Sequence, residues 1–484
     1  MILYSHFVVP VLCILLVSTS AFSFSFTTLL PDQLRRSTTI NHGHHAVEPA
    51  HETFGLPRFG LSSRLAAGRR SSSSPKTVNV DDFGAKADGT DDSKAFKAAW
   101  EEACASTNAV LVVPENRIYH LKPLTFSGPC SSGLTVQIDG TIKASNKPSD
   151  YSADPRHWLQ FVNLENFNVR GAGTINGNGK IWWLKSCKIN KSLVPLQRRA
   201  NGMLMDKLSI STWIICRNYS AGNPKIYLSK LFPIYVLQAI TFLNCKNLGV
   251  SGIRSRNAQQ MHIVFQKCVN VKAWNLRVIA PGNSPNTDGI HVTGTQNISI
   301  LSSVIRTGDD CISIVSGSRN VIVRDIICGP GHGISIGSLG KGKSEAMVSD
   351  VFVNRARLTG TTNGVRIKTW QGGSGYAKNI FFENIVMNNV SNPIIIDQNY
   401  CDQKTPCQKQ GSAVQVQNVL YRNIQGTSAS EKAIKLDCSN SLPCKQIVLQ
   451  SINLASVSAE DKEAASCANI KGLTTFGRVS PQCS

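Results

Sequence analysis

The chain has 484 residues and sets 51 Lys+Arg against 30 Asp+Glu, a formal charge of +21. So basic a balance suits a polyanionic partner. No zinc-finger, helix-turn-helix or aromatic RNA-platform pattern accompanies it, which turns the reading away from nucleic acid and towards an acidic glycan.

The first 23 residues, "MILYSHFVVPVLCILLVSTSAFS", hold an apolar core from Phe7 to Val17 followed by small residues. That is the length of a secretory h-region, so residues 1–23 are expected to be a signal peptide, although Lys and Arg are missing from its start. No later segment is apolar enough to span a membrane. Of fifteen cysteines, Cys13 lies in this leader and fourteen remain, an even number that suits a disulfide framework in an exported protein. Four close pairs stand out: Cys311 and Cys328, Cys401 and Cys407, Cys438 and Cys444, Cys467 and Cys483. Zinc is not expected, because CxxC spacing is absent and the histidines do not cluster with the thiols. Sequons at Asn190, Asn218, Asn297 and Asn389 agree with export.

Residues 24–76 turn polar, with "NHGHHAVEPAHE" and "GRRSSSSPK", and read as a pro-segment or linker with a solvated histidine tract. The folded part, 77–484, opens with a short strand. Ala95, Phe96, Ala99, Trp100 and Ala103 then recur at helical spacing, with Asp91, Asp92 and Ser93 as candidate caps. Almost everything afterwards is short β-rich runs broken by Gly, Asn and Asp. A repeat begins at Asn166, Asn247, Asn270, Asn297, Asn320, Ser349, Ala377 and Val416, and several of its intervals are 23 or 27 residues. Units of that length stack. Each holds two or three strands and no helix, which predicts an all-β fold: a right-handed parallel β-helix whose open end is plugged by the N-terminal helix.

Stacked coils turn residues one period apart into vertical neighbours. Asp288 in "SPNTDGIHV", Asp309 and Asp310 in "TGDDCISI" and His332 in "GPGHGISIG" follow one another at intervals of about 22 residues, so they are expected on consecutive coils of one face. Arg366 and Lys368 in "NGVRIKTW" come 34 residues after His332, the excess being the Gly/Lys-rich loop "GSLGKGKSEAMVSD"; as i and i+2 they should point the same way. Glycoside hydrolysis needs one carboxylic acid for the leaving oxygen and a second carboxylate acting from the opposite side. Neighbouring acids raise one another's pKa and keep one protonated. Asp309 and Asp310 would diverge on a regular strand and meet only if the chain bends, which Gly308 permits. Arg366 and Lys368 suit the carboxylate of an acidic sugar, and His332 between two glycines could tune the acid.

The motifs "NTD" (Asn286–Asp288), "DD" (Asp309–Asp310), "GHG" (Gly331–Gly333) and "RIK" (Arg366–Lys368) resemble the four signatures of the polygalacturonases, glycoside hydrolase family 28. "IIIDQNYC" and the longer flanks resemble the plant branch. The resemblance covers about 77–192 and 239–484. It implies inverting hydrolysis of α-1,4-galacturonan by a secreted enzyme of the cell wall, with no cofactor or metal; endo attack and a monomer are expected. Asp309 would be the general acid, and Asp288 and Asp310 would activate water. His332 would support the acid. Arg366, Lys368 and Tyr400 would hold substrate, with Asn286 beside them. Two rival readings are a calcium-dependent pectate-lyase-like enzyme and a catalytically impaired pectin-binding protein.

One segment departs from the family. Val194–Gln238 lacks the Asn/Gly rhythm, mixes apolar clusters with Arg198, Arg199, Lys207 and Lys230, and supplies a lone Cys216 that could pair with Cys187. It reads as translated intron sequence, the alternative being an evolved substrate-gripping loop.

Overall fold

The computed structural model describes residues 74–186, 237–402, 407–408, 410–457 and 464–483 with their side chains, and the backbone of Leu193–Leu196 and Ile215–Asn218, which pair antiparallel. The expected signal peptide, residues 24–73, and most of the atypical segment lie outside the described residues. The rest is a parallel β-helix. Eleven parallel strands, from Leu124–Ser127 to Ala464–Ala468, stack coil on coil into one sheet, and an eighteen-stranded parallel sheet wraps the other faces.

Alternation drives the stacking. On the eleven-stranded sheet Ile290, Ile312, Ile334, Val365, Ile394 and Ile434 fall opposite one another in successive strands and are fully buried. Towards the N-terminal end the interior column is aromatic: Phe126, Phe161, Phe242 and Phe265 stack at centroid distances of 5.0, 5.2 and 5.3 Å. Each such ring contributes about 1.5–3 kcal/mol by leaving water. The helix Ser93–Ala105 closes this end. Its buried residues are Ala95, Phe96, Ala99, Trp100 and Ala103, and Trp100 meets Phe126 at 5.0 Å. Asp92 holds the N-cap position without making the capping bond. Its carboxylate instead accepts from the backbone N–H groups of Lys86 (2.7 Å) and His120 (3.2 Å).

The recurring asparagines sit at the corners. Asn166, Asn247, Asn270, Asn297 and Asn320 all have φ between 51° and 58°, left-handed backbone that Asn tolerates better than most residues. Their amides form a ladder, each side-chain N–H₂ donating to the preceding asparagine's carbonyl at 2.8–3.0 Å. The repeats opening at Ser349, Ala377 and Val416 place Asp350, Asn379 and Asn418 at equivalent corners, linked in the same way.

All four expected disulfides are present, and a fifth, Cys104–Cys130, ties the helix to the coil beneath. Cys245 and Cys268 are buried and free. Cys187 and the Cys216 side chain lie outside the described residues. The coil resumes at Leu237, fully buried, and Gln238 pairs in register with His157, so the atypical segment ends earlier than the sequence suggested. No helix among the described residues is long and apolar enough to cross a membrane.

Candidate active site

Register builds the site. Because Ile290, Ile312 and Ile334 are aligned, the residues two positions before them, Asp288, Asp310 and His332, head three consecutive strands. His291, Ser313, Ser335 and Arg366 form a second aligned column beside them. Asp309 joins because the chain bends before Ile312. Gly308 passes against Ser284 so closely that a Cβ there would stand 2.0 Å from the Ser284 carbonyl oxygen, and its N–H donates to Thr287 Oγ1 at 2.9 Å. The bend lets two adjacent acids serve one cleft.

Asp310 is 1% exposed and surrounded by donors. Arg366 (2.7 Å) and Ser335 (2.8 Å) donate to one oxygen, and Lys368 (2.9 Å) to the other. Arg366 Nε also donates to Ser335 Oγ at 3.0 Å. Asp309 pairs with His332 Nδ1 at 2.9 Å, and this hydrogen bond raises the His332 pKa above the ordinary imidazole value, against the opposing effect of burial. Asp288 is pushed the same way, upward, by burial first and by the charge of Asp309 next. Its near neighbour is His291, whose Nδ1 lies 3.7 Å away. Tyr400 places its ring 5.5 Å from the Lys368 ammonium and edge-on to Trp370 at 5.3 Å. Burial pushes its phenol pKa up, leaving a neutral hydroxyl.

Asp288, Asp309, Asp310, His332, Arg366, Lys368 and Tyr400 therefore meet in one place. Asn286 stands in the turn two residues before Asp288, half-buried with φ 56°. Sequence reasoning missed Ser335 and His291. Strand parity was the available signal, since Ser335 lies one coil below Arg366 and shares its outward direction. Asp309, Asp310 and His332 also offer three ligand atoms within 4.8 Å of one another. Calcium takes six to eight oxygens, and here both Asp310 oxygens already accept from Ser335, Arg366 and Lys368, which leaves the cluster poor in carboxylate oxygens for Ca²⁺.

The sequence profile of glycosyl hydrolases family 28 matches residues 104–212 and 235–481. The chain is 55% identical to polygalacturonase QRT2 of Arabidopsis thaliana, over 85% of each protein, and 52% identical to polygalacturonase-2 of Solanum lycopersicum, over 84% of this chain and 81% of that one. Among solved structures, an exopolygalacturonase from Thermotoga maritima aligns with a TM-score of 0.61 at 21% identity, covering 83% of this chain and 92% of that one. An endo-xylogalacturonan hydrolase from Aspergillus tubingensis aligns at 0.63 and 20%, covering 84% and 100%. At such identities these structures speak for the fold alone. The chain belongs to glycosyl hydrolase family 28, among that family's plant polygalacturonases.

Proposed function

We propose that the protein is a secreted cell-wall enzyme that hydrolyses the α-1,4-galacturonosyl linkages of pectin by inversion, with endo attack. One observation carries the mechanism: three carboxylates and a histidine share a cleft in which two cations converge on one carboxylate. The proton held by the Asp309–His332 pair goes to the leaving glycosidic oxygen. Asp288 and Asp310 orient water on the opposite side of the sugar ring and take its proton. Burial and the neighbouring charge of Asp309 raise the Asp288 pKa, so its carboxylate binds a proton more tightly than a free one does. Arg366 and Lys368 sit where the sugar carboxylate would compete with Asp310 for them, and Tyr400 offers a ring face beside Lys368.

The product profile from de-esterified galacturonan, taken with and without EDTA, tests this. Saturated oligomers of inverted anomeric configuration, released at an EDTA-independent rate, are expected. Unsaturated products absorbing in the ultraviolet, or dependence on calcium, would replace hydrolysis by elimination. Release of single end units alone would replace endo by exo attack.

A further inference from the structure

The basic segment Gly340–Ser344, "GKGKS", follows the His332-bearing strand and has no part in the chemistry above. We propose that it is a second carboxylate-binding site on the cleft wall, taking a galacturonate unit of the polymer other than the one held by Arg366 and Lys368. The proposal rests on the polygalacturonase reading for the identity of the polymer.

Three turns leave the site sheet one above another and stack on this flank. Trp370 N–H donates to the Leu339 carbonyl at 2.8 Å, Ser374 N–H to Ser344 at 3.2 Å and Gly372 N–H to Ser412 at 2.7 Å. Gly340, at φ 78°, packs backbone to backbone: a Cβ there would stand 2.9 Å from Gly373 Cα and 2.8 Å from a Val414 methyl. The loop is thus held in place before any ligand arrives, which lowers the ordering cost of binding.

A chain of contacts connects it to the centre. The Lys341 ammonium lies 4.8 Å from the Trp370 ring centroid, Trp370 is 5.3 Å from Tyr400, and the Lys368 ammonium is 5.5 Å from Tyr400. Lys343 is exposed and its stem lies 3.4 Å from where a Gly372 side chain would begin. Amides line the intervening surface: Gln371 donates to Asn399 and accepts from the Gln410 N–H. The acids nearby are Glu345, directly after the loop, and Asp402, after Tyr400, both exposed, together with Asp397 and Asp437, which accept from the Asn399 backbone N–H (3.0 Å) and side-chain amide (2.9 Å). Galacturonan carries a carboxylate on every unit. A chain lying across the coils presents successive carboxylates to the walls of the groove, and two lysines with flanking amides match such a unit.

The test is a chain-length series of galacturonides, from trimer to polymer, with the full-length protein at low ionic strength. Lys343→Asn removes the charge with a residue that tolerates the left-handed backbone at φ 64°, and Lys341→Gln keeps most of the stem over Trp370. The double variant should raise KM for long chains about three- to tenfold, the scale of two exposed ion pairs. The trimer should be unaffected, and kcat should stay within about twofold. Lys246→Ala with Lys272→Ala, two exposed cations on the other sheet, removes the same net charge and should leave the series unaltered. An equal KM increase at every length would place the lysines on the central site or in the fold, and an unchanged series would remove them from binding. Both outcomes overturn the proposal. Calorimetric Kd values for the same ligands in an Asp309→Asn background read the loop without turnover. A failed activity reading is thereby separated from a failed loop.

Discussion

Arg366 and Lys368 illustrate how a residue's role changes once its partner is visible. From the sequence they address only the substrate, and their removal should act chiefly on KM. The fold buries both against Asp310, their side chains 12% and 10% exposed. Removing either leaves a buried acid short of a partner, a loss of about 3–5 kcal/mol in comparable cases. Arg366→Ala or Lys368→Ala should therefore lower both Tm and kcat as well as raising KM, measured by calorimetry and steady-state kinetics on the same preparations. A KM change alone would return them to a pure binding role. Asp309→Asn keeps shape but removes the transferable proton. It should cost about 10²–10⁴-fold in kcat with galacturonan Kd largely kept, and near-normal turnover would take Asp309 out of the acid's role. Asp288 and His332 set a pH trend. Both hold a proton more tightly folded than unfolded, so their stabilisation is complete below the unfolded pKa values and is lost as pH rises through the folded ones. The contribution of Asp288 to Tm should fall as pH climbs above about 4, and that of His332 above about 6.5. In Asp288→Asn the lower part of that fall should flatten, as scanning fluorimetry across pH would show.

At the scale of elements, the turn carrying Asp309 and Asp310 depends on one glycine. Gly308→Ala drives a methyl into the Ser284 carbonyl, and overpacking of this kind costs about 1–3 kcal/mol. The turn must shift to relieve it, so activity should fall further than stability does. Equal, small losses in kcat and Tm would show the bend to be adaptable. The sequence carried much of this geometry, for identifiable reasons. Vertical stacking converts a period into contact, so Asp288, Asp310 and His332 could be aligned by counting. Helical spacing likewise picked out Ala95, Phe96, Ala99, Trp100 and Ala103. What stayed hidden needed partners distant in the chain. Asp92 resembles a cap, but the N–H groups of Lys86 and His120 compete for its carboxylate. Ser335 carries no charge to announce it and matters only because Arg366 lies above it. Cys104 and Cys130, 26 residues apart, become neighbours only after the helix folds across the coil.

For the molecule as a whole, a solenoid makes each coil answer chiefly to the coils next to it. An interruption between coils should therefore leave the stacking on either side intact, since lengthening a surface connection costs little. The atypical segment tests this. Before it, Trp182 is buried and the Trp183 indole donates to the Ala258 carbonyl at 3.1 Å. After it, Leu237 returns to the interior and Gln238 N–H donates to the Arg156 carbonyl at 2.7 Å. The strand Gln238–Leu243 bonds to coils on both sides and carries the stack on through Phe161, Phe242 and Phe265. Replacing Val194–Val236 with a short Gly/Ser linker should preserve a cooperative melt at an equal or higher Tm, keep kcat on galacturonan and raise the yield of folded protein. Loss of cooperative melting would show that the segment contributes to the stack. Loss of activity in a stably folded variant would favour a substrate-gripping loop. Sequencing the transcript then decides the segment's origin, because a major mRNA that encodes Val194–Val236 would exclude a retained intron.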